Sequence, residues 1–138
     1  MLRILRPLFN HEKAPAADGL TQAQREALID LLVLAEFEDH KIAGAEVDFI
    51  TREVASHPWQ STLTLENFYD ASVTRTRSAG VSVDAHDDYF ADIVRRLQTP
   101  AARKRAYDLC RQLMGVDGQC NEDERKFLLQ VWTRLQGA

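Results

Sequence analysis

The chain has 138 residues, 45% of them hydrophobic, and a net charge of -4, which is enough for one domain that folds without needing a disulfide or a metal. An acidic balance argues against nucleic-acid binding, since affinity for phosphates rests on clustered Lys and Arg. The longest strongly apolar stretch, Ala27 to Phe37, is broken by Asp30 and Glu36 and falls far short of the roughly 20 residues that cross a bilayer, which excludes a transmembrane helix.

In chain order, residues 1–9 (MLRILRPLF) set Leu2, Leu5, Leu8 and Phe9 at helical spacing around Arg3 and Arg6. Two readings stand: a peripheral foot on an anionic membrane, or a terminal turn that packs on its own domain. HEKAPAADG follows as a linker without an apolar face, so residues 1–20 are read as an N-terminal segment and linker and residues 21–138 as the folded domain. A first helix is expected at about 22–38, opened by a capping box of Thr21 and Gln24. Leu28, Leu31, Leu32 and Ala35 fill one side, while Ile29, Val33, Leu34 and Phe37 cover much of the other, so this helix should be central and buried. A second helix is expected at about 44–56, with Val47, Phe49, Ile50 and Val54, ending before Pro58.

The middle of the chain supplies two more helices. Leu65, Phe68, Tyr69 and Val73 mark one; Gly80 interrupts; Ser82 opens another with Tyr89, Phe90, Ile93, Val94 and Leu97. A fifth helix should run from about Pro100 to Met114, with Thr99 as cap and proline at the first helical position. A sixth should run from about Glu122 to Gln136, with Phe127, Leu128, Val131, Trp132 and Leu135 facing inward. No alternating strand pattern of useful length occurs, so the class is all-α.

The chain also repeats itself. Residues 21–54 and 99–132 align without a gap at an offset of 78 with eight identities, among them Arg25/Arg103, Asp30/Asp108, Asp39/Asp117, Glu46/Glu124 and Phe49/Phe127. About two would arise by chance at average residue frequencies, and five of the eight pairs are polar, so a shared apolar pattern cannot account for them. The expected architecture is therefore a bundle of six to seven helices, built from a duplicated helix-turn-helix unit with a two-helix spacer and pseudo-twofold symmetry.

Chemistry, if present, belongs to the turns of that unit, EFEDHKIAGAEVDFI at 36–50 and MGVDGQCNEDERKFL at 114–128. Each resembles the second half of a calcium-binding EF-hand loop: with Asp117 at loop position five, Gly118 falls at six, Asn121 at nine and Glu124 at twelve. Loop positions one and three offer no side-chain oxygen in either copy, and His40 replaces the glycine in the first, so neither turn is a complete EF-hand. Helix capping explains much of the same pattern, because Asn121 is a good N-cap with Glu124 at the third helical position, and Glu122 and Asp123 complement the helix dipole.

Asp30 and Asp108 form a second repeated feature, since a buried carboxylate must be paired. Reciprocal pairing of Arg25 with Asp108 and of Arg103 with Asp30 would suit a twofold axis; the alternatives for Asp30 are exposure or a ligand role. His86, four before Phe90, reads as a first-turn histidine beside the core. Cys110 and Cys120 form no CxxC and follow no signal peptide, which fits small buried residues in a reducing cytoplasm. No nucleophile elbow, phosphate-binding loop, HExxH or Cys/His ligand spacing is present, so no enzymatic activity is expected.

An apolar helix running into Asp-Gly, acidic residues and Glu, then a second apolar helix, as in LMGVDGQCNEDERKFL, resembles the tellurite-resistance TerB family. The N-terminal copy, LLVLAEFEDHKIAGAEVDFI, is similar to that family's first such turn, and the resemblance covers about residues 21–136. It implies a bacterial helical bundle used in stress response and as a module of larger proteins, including membrane-associated DnaJ-like co-chaperones. By matching positions it implies a divalent cation, calcium foremost, at Asp39, Glu46, Asp117 and Glu124, with Asp30 and Asp108 as weaker additions. Two functions follow as expectations: a cation-responsive adaptor for an unidentified partner protein, or a purely structural interaction module without a metal.

Overall fold

Helices dominate the residues that the computed structural model describes, which are 19–38, 59–115 and 122–137; no strand occurs among them. Five helices are seen: α1 (Gln22–Glu38), α2 (Leu65–Ala79), α3 (Val83–Leu97), α4 (Pro100–Gly115) and α5 (Glu122–Gly137). The expected all-α class holds. The expected helix at 44–56, the linker and residues 1–9 lie outside the described residues.

Four of the five described helices start for a local chemical reason. The Thr21 hydroxyl accepts from the Gln24 amide N–H at 3.2 Å, and Gln24 Oε1 accepts from the Thr21 N–H at 2.9 Å, a complete capping box at the head of α1. Thr64 caps α2 through Asn67 N–H at 3.1 Å, Ser82 caps α3 through Ala85 N–H at 3.0 Å, and Thr99 caps α4 through Ala102 N–H at 3.1 Å. Pro100 stands at the first position of α4, where its missing N–H costs nothing. Gly80 ends α2, its N–H returning to the carbonyls of Thr76 and Arg77.

α1 is the axis of the bundle and packs against all four other described helices. Its sequence dictates this, because every residue from Ala27 to Ala35 is buried and no face is left for water. Each buried Leu or Ile on it contributes about 1.5–3 kcal/mol, so tertiary packing rather than intrinsic propensity holds the helix in place. Phe90, Ile93, Val94 and Leu97 of α3 meet it from one side, and Ala106, Leu109 and Leu113 of α4 join the same core. α5 adds Phe127, Val131 and Leu135. Trp132, expected to face inward, is 47% exposed instead, because it stands one residue, or about 100°, round the helix from the buried line through Val131.

α3 and α4 are joined by Gln98 and Thr99 alone. To turn the chain so sharply, Gln98 takes φ 68° and ψ -56°, and the Thr99 N–H donates back to the Leu97 carbonyl at 2.7 Å, a γ-turn of the strained, positive-φ kind. The same carbonyl accepts from Gln24 Nε2 at 3.0 Å, which ties the cap of α1 to the end of α3.

Candidate functional site

A short polar stripe on α2 (Ser72 and Thr76) is buried where a helix of this composition would ordinarily bury apolar side chains. Its reason is Asp30, fully buried on α1. One carboxylate oxygen accepts from the Ser72 hydroxyl at 2.6 Å and from Arg75 at 2.7 Å; the other accepts from Arg96 of α3 at 2.8 Å. A buried carboxylate is costly unless paired and hydrogen-bonded, and here both oxygens are satisfied. Burial works against the Arg75 and Arg96 charges, but hydrogen bonding and attraction to Asp30 outweigh it, and both guanidiniums titrate above their ordinary value. The Tyr89 phenol beside them is also raised, by burial first and then by the Asp30 charge.

This replaces the reciprocal pairing expected from the repeat. Asp30 is held by Arg75 of α2 and Arg96 of α3, not by Arg103, while Asp108 receives Lys104 at 3.0 Å on the exposed side of α4, not Arg25. Arg25 is buried, with Nη2 donating to the Leu20 carbonyl at 3.3 Å. A cation at Asp30 would face two guanidiniums at contact distance, and electrostatics opposes that ligand role. Glu124, in the first turn of α5, is 3% exposed and turned inward. Asp39, Glu46 and Asp117 lie outside the described residues. Among the described residues, no group of three or more His, Cys, Asp or Glu side chains gathers as a metal site.

Further contacts bind the helices together. Tyr69 donates its hydroxyl to Glu36 at 2.8 Å, and its phenol is raised far above the usual range by burial and by that carboxylate. Arg134 of α5 reaches Asp87 of α3 at 2.6 Å while lying 4.8 Å above the Phe90 ring. His86 stands 3.1 Å from Glu38 and 6.2 Å from the Phe90 ring centre, the first-turn position beside the core that its spacing predicts.

An open groove lies between α4 and α5. About 450 Å³ in volume, it runs along Arg103, Lys104, Tyr107, Asp108 and Arg111 of α4 and is closed by Trp132 of α5. Tyr107 and Trp132 meet edge to face at 5.1 Å, forming an aromatic floor between cationic ends. Leu129, three residues before Trp132, is 66% exposed and continues the apolar surface along α5. Sequence reading missed this place because the charge of the whole chain hides that of α4, which carries four cations (Arg103, Lys104, Arg105 and Arg111) against the single acid Asp108. Segment-by-segment charge would have found it.

Among the described residues, no helix is long and apolar enough to cross a membrane. Compared with known proteins, the chain matches no family model, no curated protein and no solved structure.

Proposed function

We propose that this chain is a non-catalytic protein-interaction module of the TerB-like kind: a duplicated helix-turn-helix unit wrapped pseudo-symmetrically around a two-helix spacer, docking a partner protein on the α4–α5 face. The observation that carries the reading is Trp132, 47% exposed over a groove while Phe127, Val131 and Leu135 of the same helix are buried. Half-exposed tryptophan beside charged rims is the composition of an interaction hot spot, whereas folding alone favours burying it. The repeat at an offset of 78 supports the duplicated unit, and the acid-bearing turns support the family likeness. The module works in the cytoplasm, with residues 1–9 as its candidate foot on an anionic membrane.

Trp132 replaced by the photo-crosslinker p-benzoylphenylalanine tests this in the native host. The expected result is an adduct with one defined partner from position 132 and from 129, and none from Asn67 on the far face of α2. Equal adducts from all three positions, or none at 132 and 129, refute the reading.

A second reading adds a divalent cation, calcium foremost, held at the repeated elbows by Asp39, Glu46, Asp117 and Glu124 and biasing which surface the partner meets. The recurrence of Asp39 and Glu46 as Asp117 and Glu124 at the offset of 78 favours it, since carboxylates at matching turn positions suit a hard cation. Helix capping by Glu124 explains the same acid without an ion. Thermal melts across calcium, magnesium, manganese and zinc separate the two, because an ion specific to the folded state raises Tm with its concentration. An unchanged melt in all four leaves the interaction module without a metal.

A further inference from the structure

We propose that the α4–α5 groove takes an acidic peptide segment in which two carboxylates flank an apolar side chain, an inference that rests on the interaction-module reading and specifies the partner's chemistry. Arg103 and Lys104 mark one end of the groove and Arg111 the other. At 1.5 Å per helical residue the two ends lie about 10–12 Å apart. An extended peptide advances about 3.3 Å per residue, so acids four positions apart span about 13 Å and point to one side, together with the residue midway between them. That middle residue meets the Tyr107–Trp132 floor.

Charge supports the same occupant. Among the lining residues Lys104 and Arg111 stand towards opposite ends of the groove with one carboxylate between them, Asp108, which is already engaged by Lys104 at 3.0 Å. Lys104 is 77% exposed, so its pair with Asp108 is a weak surface contact that an incoming carboxylate can share. Elsewhere the chain is acidic, so the groove is a local field of opposite sign that attracts acidic segments and repels basic ones. The Trp132 ring supplies the apolar anchor that distinguishes this site from a simple cationic patch.

The test is fluorescence anisotropy of a labelled peptide, Gly-Ser-Glu-Ser-Phe-Ser-Glu-Ser-Gly, titrated with the full chain. Binding is expected to weaken at least about tenfold when both Glu are replaced by Lys, and by a similar factor when salt rises from about 0.05 to about 0.5 M, where the screening length falls well below the groove's own length. The variants K104E and R111E together, and W132A separately, are each expected to raise Kd about tenfold or more. R95E on α3 leaves it unchanged, and far-UV melts verify that every variant is folded. Equal binding of the lysine peptide, insensitivity to K104E with R111E, or occupation by ATP in place of the peptide overturns the proposal. So does a concentration-dependent dimer that hides Trp132. If the peptide fails while position 132 still yields its specific photo-adduct, the acidic class alone is wrong; if the adduct is also missing, the interaction-module reading falls with it.

Discussion

Asp30→Ala removes the carboxylate on which Ser72, Arg75 and Arg96 converge, and it leaves two guanidiniums facing each other without the charge that joined them. Removing one member of a fully buried ion pair typically costs about 3–5 kcal/mol. Two features reduce that figure here: the Arg75 and Arg96 side chains are 39% and 27% exposed and can regain water, and Arg96 keeps its contact with Asp92 at 2.8 Å. A loss of about 2–4 kcal/mol remains, a large share of the roughly 5–15 kcal/mol that stabilises a domain of this size. Urea unfolding followed by far-UV circular dichroism measures it as a drop of about 1–2 M in the midpoint, at an m-value of about 2 kcal/mol per molar. The aligned residue is the internal control: Asp108→Ala breaks only the exposed pair with Lys104 and should shift stability by less than about 0.5 kcal/mol. A loss below about 1 kcal/mol for Asp30→Ala, or equal losses at the two aspartates, refutes the assignment of Asp30 as the anchor of α2 and α3.

The same unfolding assay checks two backbone features. Gln98→Gly relieves the positive φ of the γ-turn at an exposed position and should stabilise the chain by about 0.5–1 kcal/mol despite glycine's greater freedom when unfolded. Gln24→Ala removes half of the capping box together with the buried bond to the Leu97 carbonyl and should cost about 1–2 kcal/mol. Cys110 is fully buried, and burial pushes its thiol up to about 12. In a Cys120→Ser background it should resist a thiol reagent at pH 8 until denaturant is added, and rapid labelling of the native chain would contradict its placement. Because the folded chain holds that proton more tightly than the unfolded one, its contribution to stability is intact below about pH 8.5 and is lost as pH rises towards about 12. Cys110→Ala should flatten that part of the stability profile.

The helix ends were legible in the sequence because capping is local: Thr21 with Gln24, Ser82, and Thr99 with Pro100 each carry their instruction within three residues. The buried character of α1 was legible for a similar reason, since apolar residues on every side leave no orientation that keeps them wet. The anchor of Asp30 was not. Its arginines lie 45 and 66 residues away, and the repeat drew attention to Arg103, whereas α2 and α3 supply the partners. Trp132 was misplaced by a phase error of one residue, small in sequence but enough to move a side chain from core to groove. The groove itself needed the neighbouring helix, because a run of cations on α4 acquires an aromatic floor only when α5 is laid beside it.

Asp30 and Asp108 occupy equivalent places in the alignment, yet one is a keystone for α2 and α3 while the other rides on the surface with a lysine. The two aligned stretches are therefore not interchangeable. A gene fusing two copies of the later half around the same spacer would put Arg111 where Val33 now packs, three residues beyond the keystone, and would strand a charge in the centre of the bundle. Around Asp30 the bundle has a front and a back.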